Sequence, residues 1–249
     1  MTAEAAISNA EALFVSRYQG AEFCVASGSI IQGHGALHSD LDLVVIYSKI
    51  PAAYRESFFY QKMPVEAFVH DYETIQSFMD DDYQRGNVSM QHMLATGKIV
   101  PHETESSAKL KVYAQRIIAE GLNPAAPEKI EALRYSVSDL IDDLKDDRPV
   151  NEVRSILYSL YHVIGELHLR LSGQFLATGK HLARKLKDCD PAFSAKLDAI
   201  MTRAHTDKIS DQDIEALLSL LQPLGGNLFD GYKQTAPSEK RAAAKWLVD

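Results

Sequence analysis

A chain of 249 residues, 46% hydrophobic and 24% charged, is long enough for one large domain or two modest ones around a real core. Its formal net charge of −8 speaks against a polynucleotide substrate, which demands a basic face, and suits a small-molecule or cationic acceptor better. No apolar run reaches bilayer length, and the opening MTAEAAISNAEALF places acids where a signal peptide carries basic residues. Cys24 and Cys189 lie far apart without metal-ligand spacing and read as free thiols, so a reducing cytoplasm is expected.

In chain order, Ala5, Ile7, Ala10, Leu13, Phe14 and Tyr18 recur at helical spacing over 3–18. The run 22–26 (EFCVA) predicts a short strand ending in the turn Ser27-Gly28-Ser29, and 41–47 (LDLVVIY) predicts a second strand that breaks before Pro51. Pro51, tolerated in a first helical turn, predicts a helix through Tyr60. The alternation of 64–70 (PVEAFVH) predicts a third strand, followed by helical segments to Thr96 and a last short strand over 97–101. Beyond His102 the pattern turns helical, over 106–120, 128–147, 150–172, 179–187, 191–204 and 211–222. The strongest is 150–172, where Val153, Ile156, Leu157, Leu160, Ile164, Leu167 and Leu171 form one stripe stopped by Gly173. The expected fold is α+β: a mixed-sheet α/β domain over 1–104, then a helical bundle over 105–249. The tail Gln234–Asp249 reads as a peripheral helix.

The stretch that carries chemistry runs from Gly28 to Leu43, GSIIQGHGALHSDLDL. Asp40 and Asp42 are two apart at the head of a strand, so both side chains point to one face while Leu41 and Leu43 point to the other. Two adjacent carboxylates repel unless a cation sits between them, and hard oxygen donors suit Mg²⁺. The glycine turn after the first strand can expose successive N–H groups to phosphate oxygens, with the Ser29 hydroxyl as a further donor. Glu66 lies inside an apolar strand, where a glutamate is costly unless it has a task or faces solvent at an edge. Asp71, at the end of that strand, is the reserve acid and also reads as the cap of the next helix.

A Gly-Ser turn, about a dozen residues, Asp-x-Asp and a later strand carboxylate together resemble the DNA polymerase β-like nucleotidyltransferase superfamily. The resemblance covers residues 20–70 and extends to about 105. Spacing resembles the small bacterial members, and the helical half is similar in kind to the kanamycin and other aminoglycoside nucleotidyltransferases. Gln32 departs from those members, which often carry an arginine there. The resemblance implies Asp40, Asp42 and Glu66 as catalytic and Mg²⁺-binding residues, Glu66 either completing the metal site or serving as base. It implies nucleotide contacts from Gly28, Ser29, Ser39 and, from the helical half, Lys180. The implied activity moves a nucleoside monophosphate, AMP in the first instance, from a triphosphate to a hydroxyl of a small molecule. The rival reading is a catalytically silent version of the same fold, an antitoxin-like interaction module.

Other signals have ordinary readings. Lys180 can equally be a solvated lysine after Gly179, and the aspartates of 138–147 (SDLIDDLKDD) form a face that could hold a polycation but is usually solvated. Arg134 is a second candidate for the phosphates. His34 and His38 flank the loop before Asp40, while His162 and His168 on the strongest helix read as packing or surface residues. A two-fold homodimer is the default assembly.

Overall fold

The computed structural model describes residues 2–206 and 209–241, and the side chains of 205, 206 and 239 are not described. The chain forms two compact units, Met1–Leu122 and Asn123–Asp249.

In the first unit, helix α1 (Ala3–Ser16) is capped by Thr2, whose hydroxyl accepts from Ala5 N–H at 3.3 Å. Strands β1 (Phe23–Ser27), β2 (Leu41–Tyr47), β3 (Tyr54–Tyr60), β4 (Met63–Asp71) and β5 (Lys98–Val100) build one sheet in the order β3-β4-β2-β1-β5. The β2–β4 pair is parallel and the other pairs are antiparallel. The buried side chains of α1 (Ala6, Ala10, Leu13) cover one face with Leu41, Leu43, Val45, Val65 and Ala67. Helices α2 (Tyr72–Gln84), α3 (Ser89–Thr96) and α4 (Glu105–Glu120) cover the other, where Val44 and Ile46 meet Ile75, Met79, Leu94 and Ala114. Coverage on both faces explains why β2 reads as a near-continuous apolar run instead of an alternating one.

The segment expected as a helix from Pro51 is instead strand β3, an edge strand antiparallel to β4. Tyr54, Phe58, Phe59 and Tyr60 are aromatic residues that favour a pleated surface. Gln61 (φ 48°) and Lys62 (φ 69°) form the two-residue connection to β4, a conformation that matches strand twist and that no helix can contain. Pro51 lies in a bend before the strand.

Helix α4 packs against α3 and belongs to the first unit. The change from mixed to helical pattern near residue 104 therefore precedes the division between compact units at Leu122.

The second unit contains α5 (Pro127–Asp143), α6 (Val150–Leu171), α7 (Lys180–Cys189), α8 (Pro191–Thr206) and α9 (Asp211–Leu221). Leu157, Leu160, Ile164 and Leu167 of α6 form its spine, packed with Leu133, Val137 and Ile141 of α5 and with Leu186, Leu197 and Leu217. Leu171 ends the apolar stripe at 47% exposure, and Gly173 follows with φ +64°. In the tail, where a peripheral helix is expected over 234–249, residues 234–237 and 241 are not helical, Ser238–Lys240 forms one 3₁₀ turn, and 242–249 lie outside the described residues. Among the described residues no helix is long and apolar enough to cross a membrane.

Candidate functional site

Register brings the acids together. In the parallel β2–β4 pair Asp42 lies opposite Glu66, and in the β1–β2 pair Ser27 lies opposite Asp42. Residues directly opposite share a face, so Ser27, Asp42 and Glu66 all project from the α2–α3 side of the sheet. Asp40 enters just ahead of β2. Asp40, Asp42 and Glu66 each offer a carboxylate oxygen, and these atoms all lie within 4.8 Å of one another. Three hard oxygen donors so placed fit a divalent cation of the magnesium type. A second observation agrees: the Ser27 hydroxyl, 1% exposed beside Asp42, has no hydrogen-bond partner among the described residues. Ser27 was legible in the sequence only as part of a turn; its burial comes from the sheet.

The loop between β1 and β2 shapes the mouth of the site. Gly28 has φ +89°, and a Cβ built there would lie 2.3 Å from Asp42 Oδ2, so the carboxylate rests against bare backbone. Ser29 Oγ donates to Ser39 Oγ (3.0 Å), which also accepts from Ala36 N–H (2.8 Å). His34 N–H donates to Ser29 O (3.0 Å) and Gln32 N–H to Gly28 O (3.2 Å). Ser29 and Ser39 thus close the loop on itself and hold Asp40 at its end. Ile30 anchors the loop in the core, while His34 and His38 stay exposed. Gln32 donates to Thr96 Oγ1 (3.2 Å), tying the loop to α3.

Glu66 carries a cation already. Its Oε1 accepts from Arg55 Nη2 in a close ion pair, and from Ser57 Oγ at 3.4 Å. The Arg55 side chain is 59% exposed and its guanidinium lies 5.1 Å from the centre of the Phe68 ring. Arg55 is hidden from a helical reading of 51–60; the aromatic content of 54–60 (YRESFFY), which favours a strand, is the signal that points to it.

Asp71, the reserve acid, is a cap and lies apart from the triad. Its carboxylate accepts from Thr74 N–H (2.9 Å) and Ile50 N–H (3.2 Å), and Thr74 Oγ1 accepts in return from Asp71 N–H (2.9 Å). These backbone donors push its pKa down to about 2. A depressed carboxyl contributes stability that is complete above the unfolded value of about 4 and is lost as pH falls to about 2. Asp71→Asn cannot accept from both N–H groups through oxygen. Its melting temperature should be lower than the wild type's at pH 7 and converge on it toward pH 2, as thermal unfolding across that range would show.

In the second unit Lys180 is exposed at the first position of α7, after Gly179. Arg134 is engaged within its own unit, donating to the carbonyls of Gly225 and, at 3.4 Å, Gly226. On the acidic stretch Asp143 pairs with Arg148 (2.6 Å). His168 is 7% exposed and stacks on Phe193 at 4.0 Å, and His162 meets the Tyr158 ring at 4.7 Å, so both pack. Cys24 is buried, its thiol pushed up to about 12, and Cys189 is half-buried; both are free.

No protein-family model and no curated protein matches the chain. Among solved structures it is similar to a nucleotidyltransferase-like protein from Exiguobacterium sibiricum 255-15, at 14% identity and a TM-score of 0.38. That alignment covers 88% of this chain and 74% of the other.

Proposed function

We propose that the chain is a divalent-metal-dependent nucleotidyltransferase. It would move a nucleoside monophosphate, AMP in the first instance, from a nucleoside triphosphate to a hydroxyl of a small molecule. The observation that carries this reading is the convergence of Asp40, Asp42 and Glu66 within 4.8 Å beside the Gly28-Ser29 turn.

Asp40, Asp42 and Glu66 would hold Mg²⁺, which when bound supplies charge neutralisation for the triphosphate. The remaining steps belong to the chain. Gly28, Ser29 and Ser39 would contact phosphate oxygens through backbone N–H groups and hydroxyls, and the absence of a side chain on Gly28 admits the Asp42 carboxylate against the turn. The acceptor oxygen attacks the α-phosphorus as the bond to pyrophosphate breaks. Glu66, held by Arg55 and Ser57, takes the hydroxyl proton. Pyrophosphate leaves with the electrons of the broken bond. The α/β unit would carry the chemistry.

The Arg55–Glu66 ion pair is the one observation that favours the silent-module reading, since it satisfies an acid without a metal. The two readings separate in one assay. Purified protein with MgATP and a panel of hydroxyl compounds should release pyrophosphate, and EDTA should stop it. Intact folding with neither nucleotide binding nor release for any of the four ribonucleotides would leave the module.

A further inference from the structure

The acid face of the sheet continues past Glu66 into a cleft of about 440 Å³ within the first unit. Along β4, Glu66, Phe68 and His70 project from the same face at intervals of roughly 7 Å, so the cleft floor begins two residues beyond Glu66. Phe68 and Phe78 supply flat apolar walls, and Met90 and Met93 of α3 supply adaptable ones. Arg55 lines the cleft and also pairs with Glu66, so a single side chain borders both the cleft and the triad. Its volume lies within the range of small-molecule sites, roughly 300–1,000 Å³.

Polar groups at this cleft are few and selective. His70 is 2% exposed, its Nδ1 has no hydrogen-bond partner among the described residues, and the Phe78 ring meets it edge-on at 4.9 Å. Burial holds its pKa below the ordinary histidine value, so it is neutral at pH 7. Within the lining Arg85 pairs with Asp82 at 2.8 Å, while Arg55 finds its acid, Glu66, just outside it. A polycation would meet two guanidinium groups here and one acid already paired. A flat ring fits the walls, and a neutral or anionic charge fits the rim.

Resting on the nucleotidyltransferase reading, we propose that this cleft is the acceptor subsite and that its occupant is a hydroxylated aromatic compound of one or two rings, neutral or anionic. The ring lies between Phe68 and Phe78, and the hydroxyl points along β4 toward Glu66. In transfer, the phenolic oxygen forms the new bond to the α-phosphorus, its proton passes to Glu66, and pyrophosphate leaves.

6-Hydroxy-2-naphthoate is a suitable probe, with 2-naphthoate as the analogue lacking the hydroxyl. Calorimetry without nucleotide should show both binding to the wild type and to Asp42→Asn. Phe78→Ala, an exposed position whose truncation leaves the core intact, should weaken both by about tenfold or more. Met93→Trp, which fills the cleft, should do the same. Only the hydroxylated probe should support pyrophosphate release from MgATP. The proposal is overturned by no binding at millimolar probe, by affinity unchanged in both variants, by displacement with kanamycin, or by transfer that Phe78→Ala leaves untouched. Probe binding that both variants weaken, in a protein that fails to bind MgATP, would sink the transferase and with it the acceptor role, leaving an aromatic-binding cleft. MgATP binding without probe binding would sink the acceptor assignment alone.

Discussion

Asp42→Asn should lower the rate of the proposed nucleotide transfer by about 10²–10³-fold or more and leave the melting temperature within about 2 °C of the wild type. Asn keeps the shape of the side chain on a strand whose flanking residues, Leu41 and Leu43, are fully buried, so packing is unchanged. What disappears is one negative charge from a cluster whose three ligand atoms lie within 4.8 Å of one another. In the absence of metal that loss relieves repulsion, so the melting temperature moves upward if it moves at all. A readout independent of activity follows from linkage. A ligand that binds only the folded state stabilises it, so MgATP should raise the melting temperature of the wild type and not of Asp42→Asn or Asp40→Asn. Equal stabilisation of all three proteins would remove the acids from the metal site.

The acid set was legible because each member breaks a local rule. Asp40 and Asp42 place two like charges on one face at the head of an apolar strand, and Glu66 is a charge among Val65, Ala67 and Phe68 in β4. Such residues call for a partner or a task, and a pattern on one chain segment is enough to reveal them. Their meeting was not legible from pattern alone. It depends on β2 and β4 being parallel neighbours in the register Asp42 to Glu66, a long-range fact that the family resemblance anticipated and the sheet provides. The helices of the second unit were legible from periodicity for the opposite reason: stripes such as Leu157, Leu160, Ile164 and Leu167 serve packing and little else.

Strand β3 shows where pattern reading ran out. Its inward residues Phe58 and Tyr60 pack on the α1 side, yet Phe59 on the other face is 77% exposed, so apolar character does not alternate cleanly. The turn that follows uses Gln61 and Lys62 at positive φ instead of the glycine or asparagine that marks most such turns. Pro51, tolerated in a first helical turn, adds a helical signal of its own. The consequence was chemical as well as structural. Arg55 and the cleft beside it become visible only when β3 pairs with β4 and sets Arg55 next to Glu66. Helix α4 illustrates a milder limit, since its amphipathic pattern states that it packs and not against which neighbour. That neighbour is α3, which places α4 in the first unit.

Gly28→Ala should lower both stability and activity, and a second glycine separates the two effects. At φ +89° any residue with a Cβ is strained, which costs on the order of 1–2 kcal/mol. Gly33 has φ +79° and open space where its Cβ would go, so Gly33→Ala bears a similar backbone cost without a clash. Gly28→Ala bears it with the new methyl 2.3 Å from Asp42 Oδ2, far inside contact distance. The Asp42 carboxylate must then move by about 1 Å, and a displacement of that size at a reacting centre can cost about 10²-fold in rate. The two variants should therefore lose comparable amounts of stability in denaturant titrations. Assayed well below their melting temperatures, Gly33→Ala should keep transfer within a few-fold of the wild type, while Gly28→Ala falls by about 10²-fold. MgATP should still raise the melting temperature of Gly33→Ala and should do so far less for Gly28→Ala. Equal activity in the two variants would mean that the contact between Gly28 and Asp42 positions nothing, and the phosphate-facing role of the turn would fall with it.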